Sequence, residues 1–83
     1  METAVHAVAA LELDHEELFE AVDRERRHRR LKRHQAAAEL GVSPTTWSSW
    51  SAGARIGSDS ALRACVWLDA DLRSFAKPRS QSY

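Results

Sequence analysis

The sequence predicts an all-α fold, a compact domain of four to five short helices, and three observations carry that reading. Apolar residues recur three and four apart through most of the chain, as in Leu18, Phe19 and Val22 and again in Ala61, Ala64, Cys65 and Leu68. Helix-starting residues stand ahead of these runs, at Asp14 and at Ser43-Pro44. Gly41 and Gly53 follow the second and third runs, where a chain leaves a helix through a left-handed conformation.

Taken in order, residues 1–13 form an acidic and apolar extension. Val5, Val8 and Leu11 have helical spacing, while Leu11 and Leu13 alternate as a strand would, and a short helix is the preferred reading. Asp14 with Glu17 reads as an N-cap and capping box for a first helix reaching about Arg29, with an acidic start and a basic end that suit the helix dipole. A second helix runs from about Lys32 to Leu40. Two short helices meeting steeply need a small residue at the crossing, which Ala37 supplies. Gly41 then makes the exit, Val42 plugs the space between the helices, Ser43 caps the third helix, and Pro44 takes its first position, where a missing N–H costs nothing. This third helix spans 44–51. Trp47 and Trp50 share one face, and Thr45, Thr46, Ser48 and Ser49 take the flanks and the opposite face. Residues 52–58 form a loop, Ser58 or Asp59 caps a fourth helix, and Asp71 starts a short fifth helix ending near Phe75. The domain therefore occupies 14–76, and 77–83 reads as a disordered polar tail.

Composition narrows the functional classes. Eighty-three residues, 43% hydrophobic and 29% charged, describe one ordinary globular domain. No apolar run approaches a membrane span, and the apolar residues 4–11 lack the basic flank of a secretory signal, so a cytoplasmic protein is expected. Cys65 is the only cysteine and reads as a small buried hydrophobe. His6, His15, His28 and His34 lack metal-ligand spacing, so no metal or other cofactor is expected. No nucleophile–base arrangement, phosphate-cradling glycine loop or carboxylate cleft can be assembled, so no catalytic residue is assigned and no small-molecule ligand is evident.

The net charge is zero, but the charges are polarised: residues 1–25 hold eight acidic side chains against one basic, and residues 26–55 hold one against seven. Asp23–Arg27, Glu25–Arg29 and Glu20–Arg24 are spaced to neutralise one another on the first helix. Arg30, Lys32 and Arg33 lack such partners and crowd the start of the second helix, where the dipole repels cations, so an anion docking there would relieve the conflict. Arginine outnumbers lysine ten to two and alanine occurs fourteen times, a usage that suits a GC-rich genome.

Residues 33–53 resemble the helix-turn-helix of the phage lambda repressor and Cro-like family. Ala37, Leu40, Gly41, Val42, Trp47 and Trp50 stand at its small, turn and buried positions, Gly53 matches the glycine that ends its recognition helix, and Leu68-x-x-x-Leu72 matches a later apolar pairing. The resemblance implies a regulator of transcription that binds double-stranded DNA, a Cro-like or minimal repressor acting as a homodimer on a roughly palindromic operator. It implies that Pro44, Thr45, Thr46, Ser48 and Ser49 face base edges in the major groove. It assigns phosphates to Arg30, Lys32, Arg33, Ser43, Arg55 and Ser58. The departures are specific. Arg30 replaces a frequent glycine, Lys32 a Ser-type cap and Ser51 a frequent glutamate. Trp47 is larger and Ala36 smaller than usual, a pair that conserves volume. The outward face of the third helix also lacks the Arg, Lys, Asn or Gln that reads bases bidentately. Ala52-Gly53 resembles the peptide that self-cleaving repressors cut, but with no second domain expected to cut it the pair is read as the helix exit.

Val66 and Trp67 lie near the edge of the fourth helix's inward stripe and form a candidate self-association patch. They also support a reading from another class, a protein-interaction module docking a transcription component through this patch and the apolar N-terminus. An excisionase-like DNA-bending factor is disfavoured, because the residues after Gly53 read as helix and not as a β-wing.

Overall fold

The computed structural model describes residues 11–79. They form β1 (Leu11–Leu13), α1 (His15–His28), α2 (Arg33–Leu40), α3 (Pro44–Ser51), α4 (Ser58–Leu68), one 3₁₀ turn (Leu72–Phe75) and β2 (Ala76–Pro78). The fold is mostly helical, with one small antiparallel ribbon joining the two ends of the described chain.

Each helix start has an identifiable cause. Asp14 lies extended before α1, and its Oδ1 accepts the Glu17 N–H at 3.0 Å. Lys32 precedes α2 and has no acceptor to offer; instead its own backbone N–H donates to the Gln35 side chain at 2.8 Å, so only the reciprocal half of a capping box is made. The α4 cap corrects the sequence reading. Neither Ser58 nor Asp59 takes that place; Gly57 does, without a side-chain bond, and its carbonyl receives the Ala61 N–H that closes the first turn. Glycine is tolerated there because the cap position needs extended backbone and no side-chain bulk.

All four helices end alike, with a left-handed residue and a paired set of return hydrogen bonds. These residues are Arg30 (φ 59°), Gly41 (φ 74°), Gly53 (φ 103°) and Asp69 (φ 55°). At the first of them, Arg30 N–H bonds the Arg27 carbonyl and Leu31 N–H bonds the Arg26 carbonyl, each at 3.0 Å, the pattern of a Schellman ending. Two of the four positions carry the glycine this geometry favours. Asp69 has a short polar side chain that tolerates it, whereas Arg30 carries a long side chain in a strained backbone.

The core contains residues from every helix. Leu18 and Val22 of α1 are fully buried, Ala36 and Ala37 let α2 approach, and Trp47 and Trp50 fill the space beside them. Ala36 and Trp47 thus share one core, as the proposed exchange of volume requires. Phe19 stands edge-on to both tryptophans, with ring centroids 5.3 Å and 5.1 Å away. Ala61, Ala64 and Cys65 face inward from α4, while Leu68 is only half-buried. Burial pushes the Cys65 thiol up from its ordinary range, with Asp71 adding to the effect, as befits a packed side chain.

Two expectations for the ends are corrected. Leu11–Leu13 are a strand and not helix, and Lys77 and Pro78 belong to its partner and not to a disordered tail, so the 13/14 and 76/77 boundaries run along the edge of one ribbon. Residues 1–10 and 80–83 lie outside the described residues. The register sets Glu12 opposite Lys77 and Leu13 opposite Ala76, and Asp14 N–H donates to the Phe75 carbonyl at 2.6 Å. Pairing between distant segments satisfies backbone groups that a three-residue helix could not. The expected fifth helix is a single 3₁₀ turn started by Asp71, whose Oδ1 accepts the Arg73 N–H at 2.9 Å.

Replacing Arg30 with glycine removes the left-handed strain. Arg30→Gly is expected to raise unfolding free energy by about 1 kcal/mol, a rise of roughly 4–8 °C in Tm for a chain of this size. Calorimetry showing an unchanged or lower Tm would contradict that reading of the backbone.

Candidate nucleic-acid interface

The outward face of α3 is defined by what its inward face buries. Trp47 is 4% exposed and Trp50 2%, and their burial fixes the rotation of the helix about its axis. Pro44, Thr45, Ser48 and Ser49 are consequently exposed, whereas Thr46 is half-buried. The Ser43 Oγ accepts the Thr46 N–H at 3.0 Å and donates to the Thr46 Oγ1, also at 3.0 Å. Both hydroxyls expected at the interface are thus engaged in closing the first turn of α3, which leaves Thr45, Ser48 and Ser49 as the outward-facing hydroxyls.

Alongside this face, Arg33 and His34 at the start of α2 line a cleft of about 240 Å³ with Ala37, Pro44, Trp47 and Ser48. The fold therefore sets a guanidinium and an imidazole against the exposed side of α3. Arg55 and Ser58 are exposed in and after the loop that follows α3, and they do not line this cleft.

The arginines divide into bound and free. Arg26 is pulled inward: its Nε meets Asp23 at 2.8 Å and its Nη1 donates to the Leu31 carbonyl at 2.9 Å, so it ties the turn into α2. Asp23 also reaches Arg27 at 3.6 Å, and Glu25 holds Arg29 at 2.7 Å. Glu20 and Arg24, expected to pair, form no ion pair among the described residues. Arg63 of α4, which sequence reasoning passed over, donates through Nε to the Leu40 carbonyl at 2.9 Å and covers Gly41. It places a cation on the negative end of α2. Arg24, Arg30, Lys32, Arg33, Arg55 and Arg79 have no carboxylate partner among the described residues, and of these Arg30, Lys32 and Arg33 cluster at the start of α2.

His15 was also missed by sequence reasoning. Its Nδ1 accepts the Ile56 N–H at 3.1 Å and its carbonyl accepts the Trp50 Nε1–H at 2.9 Å. Burial lowers its pKa below 6.5, with Arg55 and Lys77 adding to the effect and Asp14 and Glu12 opposing it. Neither His15 nor Arg63 announces itself in the sequence, because their partners are 41 and 23 residues away.

On α4, Trp67 is neither free nor fully buried. Its Nε1–H donates to Glu39 at 2.9 Å, and the Arg29 guanidinium lies 4.3 Å from its ring centre. Val66 is 81% exposed, and one helical turn away Leu62 is 51% exposed. The three line a shallow groove with Glu39 and Arg63.

The chain matches no protein-family model, no curated protein and no solved structure. The likeness to the lambda repressor and Cro-like family thus rests on the residues themselves. Among the described residues, no helix is long and apolar enough to cross a membrane.

The cap geometry sets an expectation for Ser43. Ser43→Ala should lower stability by about 1 kcal/mol in urea unfolding, and Ser43→Asp should retain the cap and the stability. Equal losses in the two variants would show that the hydroxyl acts otherwise than as a cap.

Proposed function

We propose that the protein is a non-enzymatic, cytoplasmic regulator of transcription with a lambda-repressor-like helix-turn-helix fold, Cro-like or a minimal repressor, that reads the major groove of double-stranded DNA with α3. The observation that carries this reading is the exposed hydroxyl face of α3, rotated outward by two buried tryptophans and set beside the uncompensated Arg33. A cluster of cations without carboxylate partners beside an exposed helix face is the electrostatic footprint of a polyanion site. Those that already hold a carboxylate or a carbonyl serve the fold.

In this reading α3 lies in the groove with its N-terminal turn nearest the bases. The Thr45, Ser48 and Ser49 hydroxyls donate to or accept from base edges, and the Thr45 methyl packs against a thymine methyl. Arg30, Lys32, Arg33 and Arg55 hold phosphates and supply most of the affinity, because no outward side chain of α3 makes a bidentate base contact. Ser43 and Thr46 act by fixing the helix start. Two copies spaced one turn of DNA apart, about 34 Å, address a palindromic site.

Four phosphate contacts per protomer give a slope of log K against log salt of roughly −3.6 for a single protomer on duplex. Arg33→Ala should flatten it by about one unit while leaving base preference intact. Ser43→Asp should fold but lose duplex binding, since it sets a carboxylate where a phosphate would approach. Fluorescence anisotropy across a salt series measures all three, and affinity that does not respond to salt would defeat the reading.

The exposed Leu62 and Val66 favour a protein contact as well, and we place the homodimer contact there. Val66→Glu should keep helix content, shift sedimentation from dimer to monomer and weaken duplex binding. A variant that loses a different protein while still dimerising and binding DNA would instead support the interaction-module reading.

A further inference from the structure

Residue 15 joins the start of α1 to both ends of the loop that leaves α3. Its carbonyl takes the indole proton of Trp50, the last buried residue of α3, and its ring nitrogen takes the backbone proton of Ile56. Between those two points lies Arg55, exposed and without a carboxylate partner among the described residues. A loop of this kind has few ways to hold its shape, and here two of its fixed points are on the same residue. The bond to Ile56 can exist only in one chemical state of the ring: neutral imidazole, its proton on Nε2 and its Nδ1 lone pair bare. An imidazolium would set a second N–H against the Ile56 N–H, and the two donors would push apart.

Building on the DNA-binding reading above, we propose that His15 is a positioning residue of the interface: its bare Nδ1 latches the Arg55 loop to α1, and a proton on that nitrogen releases the loop and weakens duplex binding. The charged groups that bear on the ring are Arg55 from the loop, Lys77 from β2, Asp14 from the cap and Glu12 from β1. Burial together with the two cations favours the neutral ring, and hence the latched loop. The folded ring releases its proton more readily than the unfolded one, so the latch contributes fully above pH 6.5 and is lost as pH falls through the folded value. The latch must be read against a control that retains every other histidine of the chain, His28 and His34 among them.

His15→Asn is that control. Its Oδ1 can reach the place of Nδ1 and accept from Ile56, but it does not titrate. His15→Ala removes the acceptor. Duplex affinity of the full chain, measured by anisotropy at constant ionic strength near pH 7.5 and again at a pH below the midpoint of the Ile56 amide titration, separates the three proteins. The affinity of the native chain relative to His15→Asn should fall about five-fold between the two pH values, the worth of one partly buried hydrogen bond. His15→Ala should bind about five-fold more weakly than the native chain at the higher pH, with unchanged helix content by circular dichroism. The Ile56 amide resonance should titrate in the native chain, with a midpoint below 6.5, and stay fixed in His15→Asn. A native-to-Asn ratio that does not change with pH, or a folded His15→Ala that binds as tightly as the native chain, overturns the role of His15 alone. No duplex binding by any of the three at low salt overturns the DNA reading and this role with it, even where the Ile56 amide still titrates.

Discussion

The packing of Phe19 against Trp47 and Trp50 is the constraint on which the arrangement of the site depends. α3 is eight residues long, and five of them are Thr45, Thr46, Ser48, Ser49 and Ser51, side chains that compete for backbone hydrogen bonds and disfavour a helix interior. Such a segment does not hold helical shape alone. Five weak helix formers cost roughly 2.5 kcal/mol relative to alanine. Burying a tryptophan removes about 150–250 Å² from water, worth roughly 4–6 kcal/mol each. The inward face therefore outweighs what the outward face gives up, and large aromatic residues there make a hydroxyl-covered helix possible. The small α2 residues follow from the same demand, since Ala36 and Ala37 leave room for the rings.

Charge is distributed by a similar division of labour. Arg26, Arg29 and Arg63 are spent on carboxylates, helix ends and an indole face, each fixing one element against another. Arg30 is the exception that joins structure to site. A glycine would suit its left-handed backbone better, yet the chain keeps a long cation at the very turn that leads into α2. The phosphate role proposed for Arg30 and the unpaired cations beside it would give a reason for that strain.

Much of this was legible in the residues themselves. The bounds of α3 follow from Ser43, Pro44 and the glycine at 53, because caps are local chemistry and each needs only its near neighbours. Gly41 likewise declares the left-handed exit of α2. What was hidden is what depends on distant partners. The ribbon joins Leu11 to Pro78, and no three-residue segment carries enough periodicity to announce a strand of that length. Arg30 and Asp69 adopt a glycine's conformation because return hydrogen bonds and packing impose it, which overrides local preference. Ser43 was legible as a cap, but the second bond its hydroxyl makes, to Thr46 Oγ1, which takes both hydroxyls out of the outward set, needs the helix to exist first. Comparable reasoning covers Trp67, whose ambiguity at the edge of α4 resolves only once Arg29 and Glu39 arrive from two other helices.

The absence of long polar side chains on α3 shifts weight onto the way the helix is held. An arginine or glutamine on a flexible stem can search for its base edge, and an error of an ångström in the backbone is absorbed by the side chain. A serine or threonine hydroxyl sits one bond beyond Cβ and cannot search; its hydrogen bond forms only if the backbone arrives in the right place. For a hydroxyl-reading helix, specificity therefore depends on the fastenings at its two ends. At the front these are the Ser43 cap and the turn closed by Arg63 over Gly41. At the rear they are the Ala54 N–H on the Ser49 carbonyl and the Trp50 indole on His15. In the proposed DNA-reading role a residue remote from any base would then alter base preference too, because moving the frame moves every hydroxyl at once.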